Sequence, residues 1–225
     1  MLINNYNDFV SELLRCGFTI AGPNDEGVFS LSTQFSNNIC WHTELPDTDP
    51  WEWRMRILNE RTDIAYSKLF FNKSGYITKE WYPYFLAVRR QNKTLKEDYF
   101  DGNISSSAKK IYGIIESQGA LPAHILKKMY GINKENKSSF ERGLLELMKK
   151  LYITICGNSQ KLAKNGNIYG WSSTVYCRSE EFFQNNVFET AAKLKSDEAY
   201  DIIEKRILTL NPHAGPKKIT KFIIG

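Results

Sequence analysis

The stretch from Ser105 to Arg178 constrains the fold most, because three helical patterns follow one another there and lead into a strand pattern. In the first pattern, between Ser105 and Ser117, apolar residues recur with the spacing of one helix face. Pro122 then stands where a helix tolerates a missing N–H, and the short second pattern ends at Gly131, which suits a left-handed stop. Two helices of unequal length are therefore predicted before residue 132.

The third helical pattern runs from Lys134 to Leu151 and is apolar on one side only. Such a helix buries one face and exposes the other, which here is basic. From Leu151 to Ile155 the apolar period falls to two, and the alternation returns from Trp171 to Cys177. The intervening segment 157–170 is rich in Gly, Asn and Lys. A β-hairpin with a long polar loop is therefore predicted.

A helix, a turn with Gly, a second helix and a longer third helix follow in the order of a helix-turn-helix unit, whose last helix enters a DNA major groove. The predicted hairpin would add a wing. In this order the segment 105–155 resembles winged-helix DNA-binding domains. We therefore predict an α+β, predominantly helical fold: a winged helix-turn-helix with an aromatic-rich helical N-terminal part and a helical C-terminal extension.

Charge divides the chain in the same way. Residues 104–178 hold twelve Lys or Arg against four Glu, whereas 1–103 hold eleven against fourteen acids and 179–225 hold seven against seven. We therefore predict three regions with these bounds. The last one ends in KKITKFIIG, which is either the remnant of a second winged-helix unit or, as we prefer, a segment packed on the core. The polar segment 92–103 is the predicted linker.

A positive excess in the predicted helix-turn-helix favours contact with phosphates, and double-stranded DNA is the expected partner. The predicted DNA-binding residues are Lys134, Asn136, Lys137, Ser138, Ser139 and Arg142 in the third helical pattern, with Lys161, Lys164 and Asn165 in the wing. Two alternatives stay open: the lysines are only solvated, or the winged helix docks on another protein.

The N-terminal part is unusually aromatic, since eleven of the thirty aromatic residues lie between Trp41 and Phe85. Asp49 as cap and Pro50 as first residue predict a helix over the following residues. Further predictions are a helix at 7–16, a short strand at 28–31 and a helix starting at 77–78 with Thr78 as its cap. Arg89 and Arg90 either extend the basic surface or end a helix favourably.

The segment WEWRMRILNERTDIAYSKLFFNKSGYITKEWYPYFLAVRR, with AYSKLFF and WYPYFLAVRR, resembles the AlkZ-related proteins, distant relatives of winged-helix alkylpurine DNA glycosylases. The resemblance implies a DNA-associated protein and raises base excision as an alternative activity. Those glycosylases use a Gln-x-Gln or Gln-x-Asp motif. None of the five glutamines here fits it, so no catalytic residue is carried over.

Sensing or excising a modified base needs a flat apolar slot and a carboxylate or amide group. Those residue types occur within ten positions, and the candidate pocket residues are His42, Glu44, Asp47, Asp49 and Trp51. Structural readings compete with this prediction, because Asp49 also caps a helix and Asp47 also fits a turn. Aromatic side chains at helical spacing are likewise typical of a core.

Metal chemistry has little support in the sequence. The cysteines Cys16, Cys40, Cys156 and Cys177 form no CxxC pair, and the three histidines are scattered. We therefore expect reduced thiols, no metal site and no cofactor. The longest apolar runs are too short to cross a bilayer and the first residues do not read as a signal peptide, so no membrane partner and a cytoplasmic location are expected.

Overall fold

The computed structural model describes residues 2–161, 167–183 and 186–225. Its helices are α1 (Tyr6–Cys16), α2 (Pro50–Glu60), α3 (Tyr82–Arg90), α4 (Leu95–Phe100), α5 (Ser106–Gln118), α6 (Ala123–Tyr130), α7 (Lys137–Lys149), α8 (Ser179–Phe182), α9 (Asn186–Ala192), α10 (Ser196–Leu210) and α11 (Pro216–Ile224). Its strands are β1 (Phe18–Ile20), β2 (Ile64–Phe70), β3 (Lys73–Thr78), β4 (Leu121–Pro122), β5 (Ile153–Ser159) and β6 (Ser173–Arg178).

Six strands of the described residues form one antiparallel sheet in the order β1-β3-β2-β5-β6-β4. The hairpin β2–β3 meets the hairpin β5–β6 through one residue pair, Tyr66 opposite Ile155. Helices α2 and α7 both pack against β2 and β5. The protein is therefore a mixed α/β structure whose sheet runs across the predicted boundary at residue 103; the boundary itself stays a prediction.

The N-terminal part contains strands as well as helices, which corrects the prediction of a helical region. Thr78 does not cap a helix but ends β3, and it is 2% exposed. Residues 28–31 do not form a strand: a 3-10 turn, Leu31–Gln34, begins after Ser30, whose hydroxyl accepts a hydrogen bond from the backbone N–H of Ser32. Strand β2 is buried on both faces apart from Lys68. It therefore lacks the polar alternation by which strands are read from sequence.

The segment 92–103, predicted as a linker, contains the capped helix α4. Thr94 and Glu97 exchange side-chain and backbone hydrogen bonds at its start, which is a capping box. The buried carboxylate of Asp98 accepts hydrogen bonds from Lys150 Nζ and the Tyr152 hydroxyl, both at 2.9 Å. This connection is therefore fixed against the start of β5.

The C-terminal extension is helical, and its last helix packs on the core. Ile219, Phe222 and Ile223 of α11 are at most 2% exposed. The ring of Phe222 stacks on that of Phe70 in β2, with 3.9 Å between centroids. Of the two alternatives for KKITKFIIG, the observed structure agrees with a segment packed on the core.

Arg89 and Arg90 end helix α3 and are buried, 6% and 8% exposed, so the alternative in which they extend the basic surface is wrong. Among the described residues, the hydrogen-bond acceptors of Arg89 are all backbone carbonyls. Its acceptors are Leu69 O, Lys149 O, Phe222 O and Ile223 O, at 2.8–2.9 Å. Arg90 donates to Lys150 O, to Leu151 O and to the Glu180 carboxylate. Together the two guanidinium groups hold the carboxyl ends of α7 and α11.

A candidate nucleic-acid interface and an aromatic cavity

Helix α7 turns one side to the core and the other to solvent, as its sequence predicts. The buried side consists of Phe140, Gly143, Leu144, Leu147 and Met148. A Cβ atom on Gly143 would lie 2.8 Å from the backbone nitrogen of Ala108, so α7 crosses α5 at very short range. The carboxylate of Glu146 also accepts hydrogen bonds from the backbone and hydroxyl of Ser105, at the start of α5. These contacts fix the orientation of α7.

A group of cations lies on the exposed surface of α6, α7 and the turn between them. We call it the basic face, and it consists of Lys127, Lys128, Lys134, Lys137 and Arg142, all exposed. Among the described residues no carboxylate lies within salt-bridge distance of any of the five. Their charges are therefore uncompensated by close partners in the structure.

The other predicted DNA-binding residues differ in their surroundings. Ser138 is exposed and Ser139 is half-buried. Asn136 is already used within the protein: its side chain accepts from the backbone N–H of Asn133 and donates to the carbonyl of Gly131, which locks the α6–α7 turn. Lys161 is half-buried and lies two residues after the end of β5. Lys164 and Asn165 lie outside the described residues.

Asp49 is fully buried, and its carboxylate accepts hydrogen bonds from the surrounding backbone. Its carboxylate accepts four backbone N–H groups at 2.7–3.1 Å, from His42, Thr43, Glu44 and Trp51. Burial by itself would raise the pKa of Asp49, but the four hydrogen bonds outweigh it and the pKa is lowered. His42 and Glu44 adopt left-handed φ angles of 62° and 61° in this loop. The carboxylate therefore shapes the loop and caps α2.

The predicted pocket residues do not line one common cavity, although the rings of His42 and Trp51 lie 4.8 Å apart. His42, Glu44 and Asp47 are exposed, and Asp47 pairs with Arg56 at 2.7 Å. Trp51 alone of the five lines a cavity of about 230 Å³ between α2 and the β2–β3 hairpin. We call this space the aromatic cavity. Its other principal walls are Trp41, Arg54, Tyr66, Lys73 and Tyr76.

The aromatic cavity has flat walls and one charge without a carboxylate partner. The rings of Tyr66 and Tyr76, 5.0 Å apart, are directly opposite on β2 and β3. The guanidinium of Arg54 lies 3.3 Å from the centre of the Trp51 ring. Lys73 is paired with Asp25 and Glu26 at 3.3 and 3.4 Å, whereas Arg54 has no ion pair in the described part of the chain.

Sequence reasoning missed Tyr66, Tyr76, Arg54 and Lys73 because the strands that carry three of them were not recognised. A signal was nevertheless present. Phe71 and Asn72, with φ angles of 50° and 62°, form the tight turn between β2 and β3. This turn predicts a hairpin but not its exact register. A bulge between Lys68 and Phe70 shifts the pairing by one residue, so Tyr66 lies opposite Tyr76 and not opposite Ile77.

Other kinds of site are not found in the described ranges. No group of three or more His, Cys, Asp or Glu there could hold a metal ion. The four cysteines are free thiols. Among the residues described, no helix is long and apolar enough to cross a membrane.

Comparisons with known proteins point to one family. No curated protein and no solved structure matches the chain. The model of one family, described as AlkZ related, matches residues 3–224 and so covers nearly all of the 225 residues. The chain therefore belongs to the AlkZ-related family.

Proposed function

We propose that this protein binds double-stranded DNA through the basic face and the β5–β6 wing. Membership of the AlkZ-related family suggests a link to DNA repair. The observation that carries the proposal is the basic face itself: five exposed cations on α6, α7 and the turn between them, with no carboxylate within salt-bridge distance among the described residues. Such an arrangement attracts a polyanion and gains affinity by releasing its counterions.

The order of elements supports a winged-helix arrangement. Helices α5, α6 and α7 are followed by the hairpin β5–β6, and the short strand β4, between α5 and α6, pairs with β6. In a winged helix this order leaves the exposed side of the third helix available to the major groove. Here α7 is that helix. Lys137, Ser138 and Arg142 lie in its first half, where base edges and phosphates are reached.

The proposal predicts that charge reversal on the basic face weakens DNA binding. Lys137→Glu with Arg142→Glu should raise the Kd for a 20-base-pair fluorescent duplex more than tenfold at 50 mM salt. The logarithm of the association constant decreases linearly with the logarithm of the salt concentration. The magnitude of this slope should become smaller by roughly two, since two phosphate contacts are lost. Fluorescence anisotropy measures both quantities.

A matched control has the same change of net charge elsewhere. Lys205→Glu with Lys217→Glu alters two exposed lysines, one in α10 and one in α11, and should lower affinity far less. Equal losses in both double variants would mean that net charge, and not the basic face, governs binding. Unchanged binding of the Lys137→Glu, Arg142→Glu variant would remove the proposal and favour a protein-docking role.

A second candidate, excision of a modified base, has one observation in its favour: the aromatic cavity has the flat walls that an extruded ring requires. Against it, none of the described residues that line this cavity is an acid or an amide that could position water. Recognition of a base therefore fits the cavity better than its removal. Incubation with duplexes carrying alkylated purines, followed by a search for abasic sites, tests for excision.

A further inference from the structure

We propose that the aromatic cavity binds an uncharged nucleobase that is not paired with a partner strand. The inference extends the proposed DNA-binding function by naming the part of the nucleic acid that this site would hold. Three properties of the cavity carry it: its size, its flat aromatic walls and its positive charge.

The size suits one planar ring system. An apolar cavity of about 150 Å³ is sufficient for benzene. The aromatic cavity, about 230 Å³ in volume, is somewhat larger than that. It is smaller than most sites for drug-sized molecules. It is also accessible, because Trp51 is 40% exposed and Trp41, Arg54 and Lys73 are half-buried.

The walls suit stacking. Trp41 and Trp51 are large flat side chains near the opening, and Tyr66 and Tyr76 are buried at 7% and 2% exposure. Guanidinium planes also stack on bases, and the guanidinium of Arg54 lies 3.3 Å from the centre of the Trp51 ring. Unpaired bases are commonly held in this way, between aromatic rings and arginine. A paired base cannot enter, since both of its faces are covered within the duplex.

The charge excludes a cationic ring. Arg54 is positively charged and has no ion pair among the residues described, and the charge of Lys73 is matched by Asp25 and Glu26. No carboxylate is among the described lining residues. A purine that carries a positive charge after ring alkylation would be repelled by Arg54, and no carboxylate among the described lining residues offsets that repulsion. The cavity therefore favours an uncharged base.

Two isomeric nucleosides of the same size test whether the cavity prefers an uncharged base to a cationic one. N6-methyladenosine is uncharged at neutral pH, whereas 1-methyladenosine is a cation. Quenching of tryptophan fluorescence by each nucleoside should give a Kd at least tenfold lower for N6-methyladenosine. In the Arg54→Gln variant this preference should shrink to less than threefold. Equal or tighter binding of 1-methyladenosine by the wild type would overturn the inference.

Tryptophan variants test the location. Trp51→Ala should weaken N6-methyladenosine binding about 5- to 150-fold, the range for loss of one stacking platform. Trp171→Ala is the matched control, because Trp171 is 89% exposed and does not line the cavity. Circular dichroism checks that each variant is folded. If Trp51→Ala does not fold, the Arg54→Gln result still decides the question.

A third arm identifies the source of the base. A duplex with one bulged adenine should bind at least fivefold more tightly than the fully paired duplex, and Trp51→Ala should abolish that preference. Lys137→Glu with Arg142→Glu should weaken both duplexes and keep the preference, so failure of the basic face is distinguishable from failure of the cavity. If Trp51→Ala weakens binding of the free nucleosides but does not change binding of the bulged duplex, the cavity binds free nucleosides. If Trp51→Ala changes the binding of neither the nucleosides nor the bulged duplex, the inference is overturned.

Discussion

Replacement of Arg89 by Met would remove a buried donor group that holds three chain segments together at one point. The guanidinium group donates four hydrogen bonds to backbone carbonyls in β2, α7 and α11, at 2.8–2.9 Å. It has no ion pair with a carboxylate in the described part of the chain. Burial lowers the pKa of Arg89 to about 9, which still leaves the group charged at pH 7.

Two opposing effects set the expected loss. Hydrogen bonds from a charged donor are each worth about 1.5–3 kcal/mol, so four represent about 6–12 kcal/mol. The variant no longer buries a charge, and that relief is worth several kcal/mol. The expected net loss is about 3–5 kcal/mol in the free energy of unfolding. For a chain of this size that corresponds to a fall in Tm of about 6–20 °C.

Urea unfolding at pH 7, followed by far-ultraviolet circular dichroism, measures the loss. The control is Arg142→Met, an exposed position on α7 without an ion pair in the described residues, where a change within about 0.5 kcal/mol is expected. An Arg89→Met variant as stable as the wild type would refute the reasoning. The four carbonyls would then have found other donors, and the buried guanidinium would not be needed to hold these segments together.

Two further substitutions test local packing and pH dependence. Gly143→Ala should lower the free energy of unfolding by about 1–3 kcal/mol, because the added Cβ would lie 2.8 Å from the backbone nitrogen of Ala108. Gly113→Ala is the control and should be neutral or stabilising, because no atom lies within 4 Å of the added Cβ. Thermal unfolding compares the two variants. Asp49→Asn leaves one acceptor oxygen for four N–H groups and should cost about 2–3 kcal/mol at pH 7. Because the folded-state pKa of Asp49 is lowered, this difference should be complete above about pH 4 and shrink as pH falls further; Tm values at pH 7 and pH 3 decide.

Elements defined by local chemistry could be predicted from the sequence. Asp49 and Pro50 stand at the start of α2, and the Asp49 side chain accepts from the backbone of Trp51. Gly131 ends α6 with a φ of 77°. Ser105 caps α5 through the N–H of Ala108. In each case a few neighbouring residues contain the whole physical reason for the boundary, so no knowledge of the tertiary fold is required.

Strands that depend on partners far away in the chain could not be predicted from the sequence in the same way. Strand β1 has three buried residues and depends on its pairing with β3, nearly sixty residues later in the chain. Strand β2 is covered on both faces and shows no alternation. The aromatic cavity depends on these strands, which explains why Trp51 was found and its neighbours Tyr66 and Tyr76 were not. An aromatic count indicates that large side chains are used, but only strand pairing decides which of them face each other.

The same pairing ties the DNA-binding proposal to the aromatic half of the molecule. Helix α7 bears much of the basic face, yet the carbonyls at its carboxyl end are held by Arg89 and Arg90 of α3. Its crossing with α5 leaves no room for sliding at Gly143. Strand β5 is in turn paired with β2, whose Tyr66 lines the aromatic cavity. A helix that is fixed at its carboxyl end and exposed along its first half can present charge without moving. The buried arginines, 6% and 8% exposed, are therefore expected to matter for the proposed binding through the position of α7 and not through their own charge.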